Sequence, residues 1–260
     1  MAKRYEQGLM TFLTSRRGVS EIVEPLPGPL APLLGLRAGN TRPFLSLALR
    51  VPPLREKLLG IAWKASERVI ENPLAHSAAA PLPPEAEILD AGSYESLLPF
   101  ELACLGRRVT AVDLRKYPIE HPNLRVVEAD LFRLPFGDGA FDLVTAVSTL
   151  EHLGLPSWGC PETADGDRKG LAELTRCLKP GGLIFISAPF GIRQTSWQRF
   201  YDAAAWGSLT GGLEKVWERH FRRRELKIWL PADPLELEKE NTAGAFGTDG
   251  VVAGLYRKRA

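Results

Sequence analysis

Cysteine is scarce. Only Cys104, Cys160 and Cys177 occur in 260 residues, and no two stand in CxxC spacing. That argues against a disulfide framework and a cysteine-built zinc site, and fits a reducing compartment. Long apolar runs are also lacking: none reaches the roughly 18 residues of a bilayer-spanning helix. Near the start of the chain, Glu6, Gln7 and Arg16-Arg17 break up any signal-peptide apolar region, so the expected location is cytoplasmic. Charge of one sign is missing too. With 33 basic and 31 acidic residues the formal net charge is +2, too balanced for an electrostatic argument toward nucleic acid. Glu162, Asp165 and Asp167 lie near one another, but their DGD segment lacks the full calcium-loop pattern, and no metal is expected. What is present is 45% hydrophobic residues, enough for a sizeable core.

The most informative stretch is AEILDAGSYESLLPFELACLGRRVTAVDL, residues 86–114. Ile88 and Leu89 close a short apolar run, and Asp90-Ala91-Gly92 marks a turn. Leu97 to Leu105 then present an apolar helical face that Gly106 stops, and Val109, Ala111 and Val112 form a second buried strand ending on Asp113. A parallel strand pair with a helical crossover is expected. Its first turn faces a ligand, where a helix N-terminus offers free N–H groups. Asp113 follows Gly92 by about 20 residues, the spacing at which an acid accepts ribose hydroxyls. A dinucleotide fingerprint has three glycines; here Ser93, Tyr94, Glu95 and Ser96 follow Gly92 instead. A plain βαβ turn that binds nothing is the competing reading.

Around this unit the chain divides at APLPPEA, residues 80–86, a stiff linker. Before it, prolines among leucines in EPLPGPLAPLLGL argue against a long helix and leave a wrapping arm, a partner surface or a membrane contact. A helix is predicted from Leu54 to Ile70, with Asn72-Pro73 ending it. After Asp113 come a strand in residues 123–131 ending on Asp130, a buried strand at Phe141–Val147, and a helix of which Leu171–Leu178 form part, stopped by Lys179-Pro180-Gly181-Gly182. Leu183–Ser187 form the next strand. The tail reads as strands at Leu213–Phe221, Arg224–Leu230 and Val251–Tyr256, which fits a mostly parallel sheet ending in an antiparallel hairpin.

Four segments in order, ILDAGS, VTAVDL, EADLFRLPFGDGAFDLVTAVSTLEHL and LKPGGLIFISAPFG, resemble class I S-adenosylmethionine-dependent methyltransferases. The first turn, EHPN, STLEHLG, DGD and the Arg199–Asp202 segment resemble more narrowly an uncharacterised bacterial and archaeal methyltransferase-like group, partly linked to glycan gene clusters. The resemblance implies an α/β, Rossmann-like class I methyltransferase sheet in residues 85–260, with residues 1–84 as arm and cover helix. It implies S-adenosylmethionine as cofactor, lined by Asp90, Ala91, Gly92, Ser93 and Tyr94. Asp113 and Leu114 would sit at the ribose, Asp130 and Leu131 at the adenine, and Ser148 and Thr149 on the other side. Each strand-end acid reads alternatively as a turn or cap residue.

Glu95 either complements a helix N-terminus or pairs with the cofactor's ammonium group. His152 is the candidate catalytic base, its ordinary pKa lying near working pH; the alternative is a histidine that supports the loop. Trp158, Arg193, Trp197, Arg199 and Tyr201 are the candidate acceptor-binding residues. The expected function is methylation of a small molecule or glycan, at oxygen. Two rivals stand beside it: an inert methyltransferase-like scaffold or regulatory protein, and an RNA or DNA methyltransferase. The arm is left as a surface for a second copy or a partner protein. Arg222-Arg223-Arg224 reads as a solvated face.

Overall fold

The short apolar runs at residues 87–91, 108–113 and 141–147 form parallel strands because they are too short for helices and are buried almost throughout. In the computed structural model, the described residues are 23–25, 63–156, 162–192, 195–224, 228–240 and 248–259. The chain falls into two units, Met1–Val69 with Arg223–Trp229, and Ile70–Arg222 with Leu230–Ala260. In the first, β1 (Val23–Pro25) pairs antiparallel with β2 (Trp63–Ala65). The elements that follow are α1 (Arg68–Ala79), β3 (Glu87–Ala91), α2 (Leu98–Cys104), β4 (Arg108–Asp113), β5 (Leu124–Glu128), β6 (Phe141–Val147), α3 (Gly166–Cys177) and β7 (Leu178–Pro189). After these come α4 (Ala203–Thr210), β8 (Glu214–Arg224), β9 (Ile228–Pro231), α5 (Pro234–Leu237) and β10 (Gly250–Arg257).

The large sheet has the order β5-β4-β3-β6-β7-β10-β8-β9. Strands β3 to β7 pair in parallel, and β10 enters antiparallel between β7 and β8. The chain steps outward from β3 to β4 and β5, then returns to the other side of β3 as β6. That reversal opens a crevice outside the carboxyl ends of β3 and β6, the place where open α/β sheets bind ligands. Side-chain alternation splits the core into two layers. Ile88, Val109, Leu143 and Phe185 pack with Ala75, Ala78 and Ala79 of α1 and Leu98 and Leu102 of α2. Leu89, Val144 and Ile186 pack with Leu171 and Leu174 of α3 and Trp206 of α4.

Several predicted boundaries move. Of the helix expected over residues 54–70, residues 54–62 lie outside the described residues, Trp63–Ala65 is a strand, and the helix begins at Arg68 and runs through Pro73 to Ala79. Pro73 is tolerated because the bond it forfeits, to the carbonyl of Val69, lies on the exposed side of α1, where water reaches it. The buried side, Glu71, Ala75, Ala78 and Ala79, is uninterrupted. The helix of which Leu171–Leu178 was expected to be a part spans Gly166–Cys177, and Leu178 already belongs to β7. Lys179–Gly182 form a bulge within that strand: Phe141 pairs with Leu178, whereas Leu143 pairs with Leu183. Lys179 Nζ fastens the bulge to both carboxylate oxygens of Asp142, each at 2.8 Å. Strand β5 stops at Glu128, so Asp130 stands in the turn beyond it. The arginine run is not a uniformly solvated face either: Arg223 is buried and Arg222 pairs with Glu240.

Candidate functional site

Gly92 turns the chain out of β3 with φ 77°, a left-handed conformation that suits glycine. Its N–H donates to the Val112 carbonyl at 2.9 Å. A Cβ at this position would meet Thr149 Oγ1 at 2.5 Å. Thr149 itself is fixed, its hydroxyl lying 3.0 Å from the Ala91 carbonyl and 3.1 Å from that of Val147. The turn after β3 and the turn after β6 are therefore packed directly on each other. Asp90 is buried beneath them and accepts a 2.6 Å hydrogen bond from Thr145 Oγ1. Ser93 begins a 3₁₀ turn, Ser93–Glu95; its hydroxyl is buried with no hydrogen-bond partner among the described residues.

One strand over, Asp113 ends β4. Its carboxylate accepts from the backbone N–H of Tyr94 at 3.1 Å and of Arg115 at 3.0 Å. A carboxylate offers about four lone-pair positions, so two backbone donors leave room for further ones. The Arg115 guanidinium lies 3.8 Å above the Tyr94 ring centre and 3.7 Å from Glu95, next to Asp113. Tyr94 is thus held beneath an arginine at the rim, and Glu95 is half-exposed beside that cation. Leu114 is exposed. Asp130 accepts from the Phe132 N–H at 2.9 Å, the local bond of an aspartate turn, and Leu131 is packed in the core.

On the far side of β3, Ser148 has φ 45°, positive for a residue other than glycine. Its N–H donates to Ser187 O at 3.1 Å, and its hydroxyl to Glu71 Oε1 at 2.8 Å. Thr149 leads into a 3₁₀ turn, Leu150–His152. Here α3 presses in: a Cβ on Gly166 would meet the Leu153 carbonyl at 2.2 Å. His152 Nδ1 is 2.8 Å from the Trp197 carbonyl, so that nitrogen carries the proton, and its ring stacks on Trp197. In the neutral imidazole Nε2 then keeps its lone pair. It lies 3.8 Å from the buried Glu151 carboxylate. Arg199 holds the covering segment down: its N–H meets the Glu151 carbonyl at 3.0 Å and its guanidinium the Leu153 carbonyl at 2.6 Å. Tyr201 donates to Asp167 at 3.0 Å. Burial, with Asp167 and Glu151 nearby, pushes the Tyr201 phenol well above its ordinary range, so it stays a donor. The DGD acid Asp167 thereby serves packing. Trp158 and Arg193 lie outside the described residues.

The carboxyl edge thus gathers Asp90 to Glu95, Asp113, Ser148, Thr149 and His152, while Trp197, Arg199 and Tyr201 cover the end of β6. A groove of about 700 Å³ lined by Arg108, Asn123 and Arg125 lies at the opposite, amino-terminal rim and holds none of the candidates. Four residues escaped the sequence reading. Glu71 stands one helical turn before Ala75 on the buried face of α1, a polar residue at an apolar spacing. Thr145 is a lone hydroxyl in an apolar strand. Arg115 follows Asp113 without any motif. Gln198, buried with its Nε2 lacking a hydrogen-bond partner among the described residues, gave no signal at all.

The family model described as a methyltransferase domain matches residues 89–186. The ubiquinone biosynthesis O-methyltransferase of Nitrosococcus oceani is 31% identical over 168 residues, 58% of this chain and 64% of that protein. A demethylmenaquinone methyltransferase of Clavibacter sepedonicus is 36% identical over 117 residues, 42% of this chain and 43% of that protein. The chain therefore spans less than two thirds of the length of these relatives. Among solved structures, the 1,6-didemethyltoxoflavin-N1-methyltransferase of Burkholderia thailandensis, with its acceptor and S-adenosylhomocysteine bound, superposes with TM-score 0.51 at 18% identity, covering 91% of this chain and 93% of its own. The N-methyltransferase NodS of Bradyrhizobium japonicum gives 0.51 at 15% identity, covering 75% and 97%. Residues 89–186 thus match a methyltransferase domain, and they lie in the Rossmann-like sheet that solved methyltransferases share.

Proposed function

We propose that the chain transfers a methyl group from S-adenosylmethionine to an oxygen of a small molecule, a glycan being one candidate class. The observation that carries this reading is the edge itself: Asp113 and the Gly92 turn stand on neighbouring parallel strands within the matched domain. When bound, S-adenosylmethionine supplies the electrophilic methyl group. Asp113 accepts from the ribose hydroxyls at the lone pairs left by Tyr94 and Arg115. Asp130 uses the oxygen not held by Phe132 for the adenine amine. The cover made by Trp197, Arg199 and Tyr201 excludes water from the end of β6, and His152 takes the acceptor's proton at Nε2, the nitrogen left basic by the Trp197 carbonyl. Alignment of acceptor and cofactor carries most of the rate. The O-methyltransferase name of the Nitrosococcus relative supports oxygen as the atom methylated.

A second reading, an inert scaffold, draws on a specific observation. Thr149 fills the space before Gly92, and Asp113 already receives two backbone donors. Calorimetric titration with S-adenosylhomocysteine separates the two. Binding by wild type that is lost in Asp113→Ala supports the enzyme; absence of binding to wild type supports the scaffold. A nucleic-acid methyltransferase is the weakest reading, since Arg222 is paired and Arg223 is buried.

A further inference from the structure

On the face of the sheet that α3 covers, neighbouring strands place their residues in lateral rows. Ala91, Val112 and Val127 make one row across β3, β4 and β5 and pack with Leu131. Two residues nearer the amino ends the same face comes up again, and the row is Leu89, Thr110 and Arg125. Leu89 is still in the core, but Thr110 is 6% exposed and Arg125 is exposed. A valine would fill the place of Thr110 with no polar group to satisfy. The Thr110 hydroxyl has no hydrogen-bond partner among the described residues, and Thr110 and Arg125 both line the groove of about 700 Å³ at this rim. Arg125 has no carboxylate within ion-pair reach among the described residues; its guanidinium stands 6.0 Å from the centre of the Phe136 ring. In the next row Glu87 and Arg108, which also line the groove, pair with each other at 3.3 Å. The charge left over is the single positive charge of Arg125. The facing wall is rigid. Arg176 of α3 donates to the carbonyls of Phe136 at 2.9 Å and Leu134 at 3.4 Å and pairs with Asp138 and Glu173, each at 2.7 Å. The Phe136 ring also meets that of Phe141 edge to face at 5.1 Å, so this wall is set before any ligand arrives.

We propose that this groove is a binding site for an aromatic carboxylate, separate from the carboxyl edge. The guanidinium fork of Arg125 matches a carboxylate with two parallel N–H···O bonds. Thr110 is its lateral partner on β4, about 4.8 Å away across the ladder, so the hydroxyl donates to the same group. Phe136, with Pro122 and Pro135 beside it, offers apolar surface to the ring. Charge selects among anions. One surplus cation matches a singly charged group, whereas a phosphate dianion would meet that one cation with the Glu87 carboxylate nearby. The volume falls in the range of about 300–1,000 Å³ usual for small-molecule sites, more than a lone ion requires. The inference stands whether or not the methyltransferase reading does.

The test titrates the full chain with three probes, followed by ligand-observed NMR. They are 2-naphthoate, 2-naphthalenemethanol, which has the same rings without the charge, and inorganic phosphate, which has the charge without the rings. Wild type should bind 2-naphthoate with a dissociation constant of about 1 mM or below, the level expected of a ligand of that size. Arg125→Met keeps the length and removes the charge; Thr110→Val keeps the shape and removes the donor. Each should weaken 2-naphthoate about 10-fold or more and leave 2-naphthalenemethanol unchanged. Wild-type binding weaker than about 10 mM, equal affinity for the alcohol, or unchanged affinity in Arg125→Met overturns the proposal. Tighter binding of phosphate than of 2-naphthoate overturns the carboxylate assignment. Displacement of 2-naphthoate by saturating S-adenosylhomocysteine would put the probe at the carboxyl edge and overturns the separate site. Failure of S-adenosylhomocysteine to bind bears on the methyltransferase reading alone, and the variants then decide. Arg125 is exposed, so Arg125→Met decides by itself if circular dichroism shows Thr110→Val unfolded.

Discussion

Substituting alanine for Gly92 tests the packing that joins the two turns of the site. Two costs follow from the geometry. A left-handed φ of 77° costs an alanine roughly 1–2 kcal/mol. The new Cβ would stand 2.5 Å from Thr149 Oγ1 and 2.6 Å from Thr149 Cγ2. Threonine is stiff about χ1, and this hydroxyl is held between the carbonyls of Ala91 and Val147, so the side chain cannot swing aside without giving up those bonds. Overpacking of this kind costs about 1–3 kcal/mol, for a total of roughly 2–5 kcal/mol. In urea, at an m-value of about 2–3 kcal/mol per M, the unfolding midpoint falls by roughly 1–2 M. The collision is separable from the backbone strain, because Thr149→Ala removes one and not the other. The double variant should therefore be more stable than the sum of the single losses allows, by about 1–3 kcal/mol. Additivity within about 0.5 kcal/mol would show that the turns do not touch as described.

Other outcomes follow from buried polar groups. Asp142 is partly buried, which raises its pKa, but the Lys179 ammonium and the Glu87 N–H outweigh this and hold it below the carboxylate range. Glu173, bonded to Arg176 and the Leu134 N–H, is also lowered. Both contribute stability above about pH 4 that is lost as pH falls through their depressed values; Asp142→Asn and Glu173→Gln should flatten acid-unfolding curves between about pH 5 and 3. His220 is depressed by burial against the Phe190 ring, with Lys215 adding to the effect and Glu218, Glu238 and Asp233 opposing it. Its contribution is present above about pH 6.5 and is lost on acidification, as the unfolded imidazole takes up a proton first. His220→Gln should therefore reduce the loss of thermal stability between about pH 7 and 5; an unchanged slope would contradict this. Tyr256→Phe removes the 2.7 Å bond to Glu218 and one of two acceptors of the Trp206 indole N–H. About 2 kcal/mol of unfolding free energy should be lost, measured by urea titration.

What the chain disclosed beforehand was what short-range pattern encodes. Phe141–Val147 is apolar throughout and formed the strand expected of it. Gly106, with φ 82°, ended α2 as expected. Asp113 stood at a strand end because alternation and spacing placed it there. Boundaries governed by tertiary contact were not legible. Pro73 looked like a stop until the exposed side of α1 was known, and Lys179-Pro180-Gly181-Gly182 looked like a helix terminator, although Asp142 draws it into β7. The same limit hid Glu71 and Gln198. Nothing local distinguishes an acid that caps a turn from one buried against a turn 77 residues away. His152 was visible as a residue, but which of its nitrogens is basic depends on the Trp197 carbonyl, 45 positions along.

The place of β10 has a consequence for the order of assembly. Among the described residues, strands β7 and β8 share no ladder with each other; each is bonded to β10 instead. Until the ribosome has released residues as far as Arg257, the whole right half of the sheet must wait with two unpaired edges, one of them at the heart of the future core. Such distant pairing is slow to form and exposes sticky strand edges meanwhile. Synthesis of this protein is therefore most vulnerable to aggregation during the interval between completion of β8 and arrival of β10.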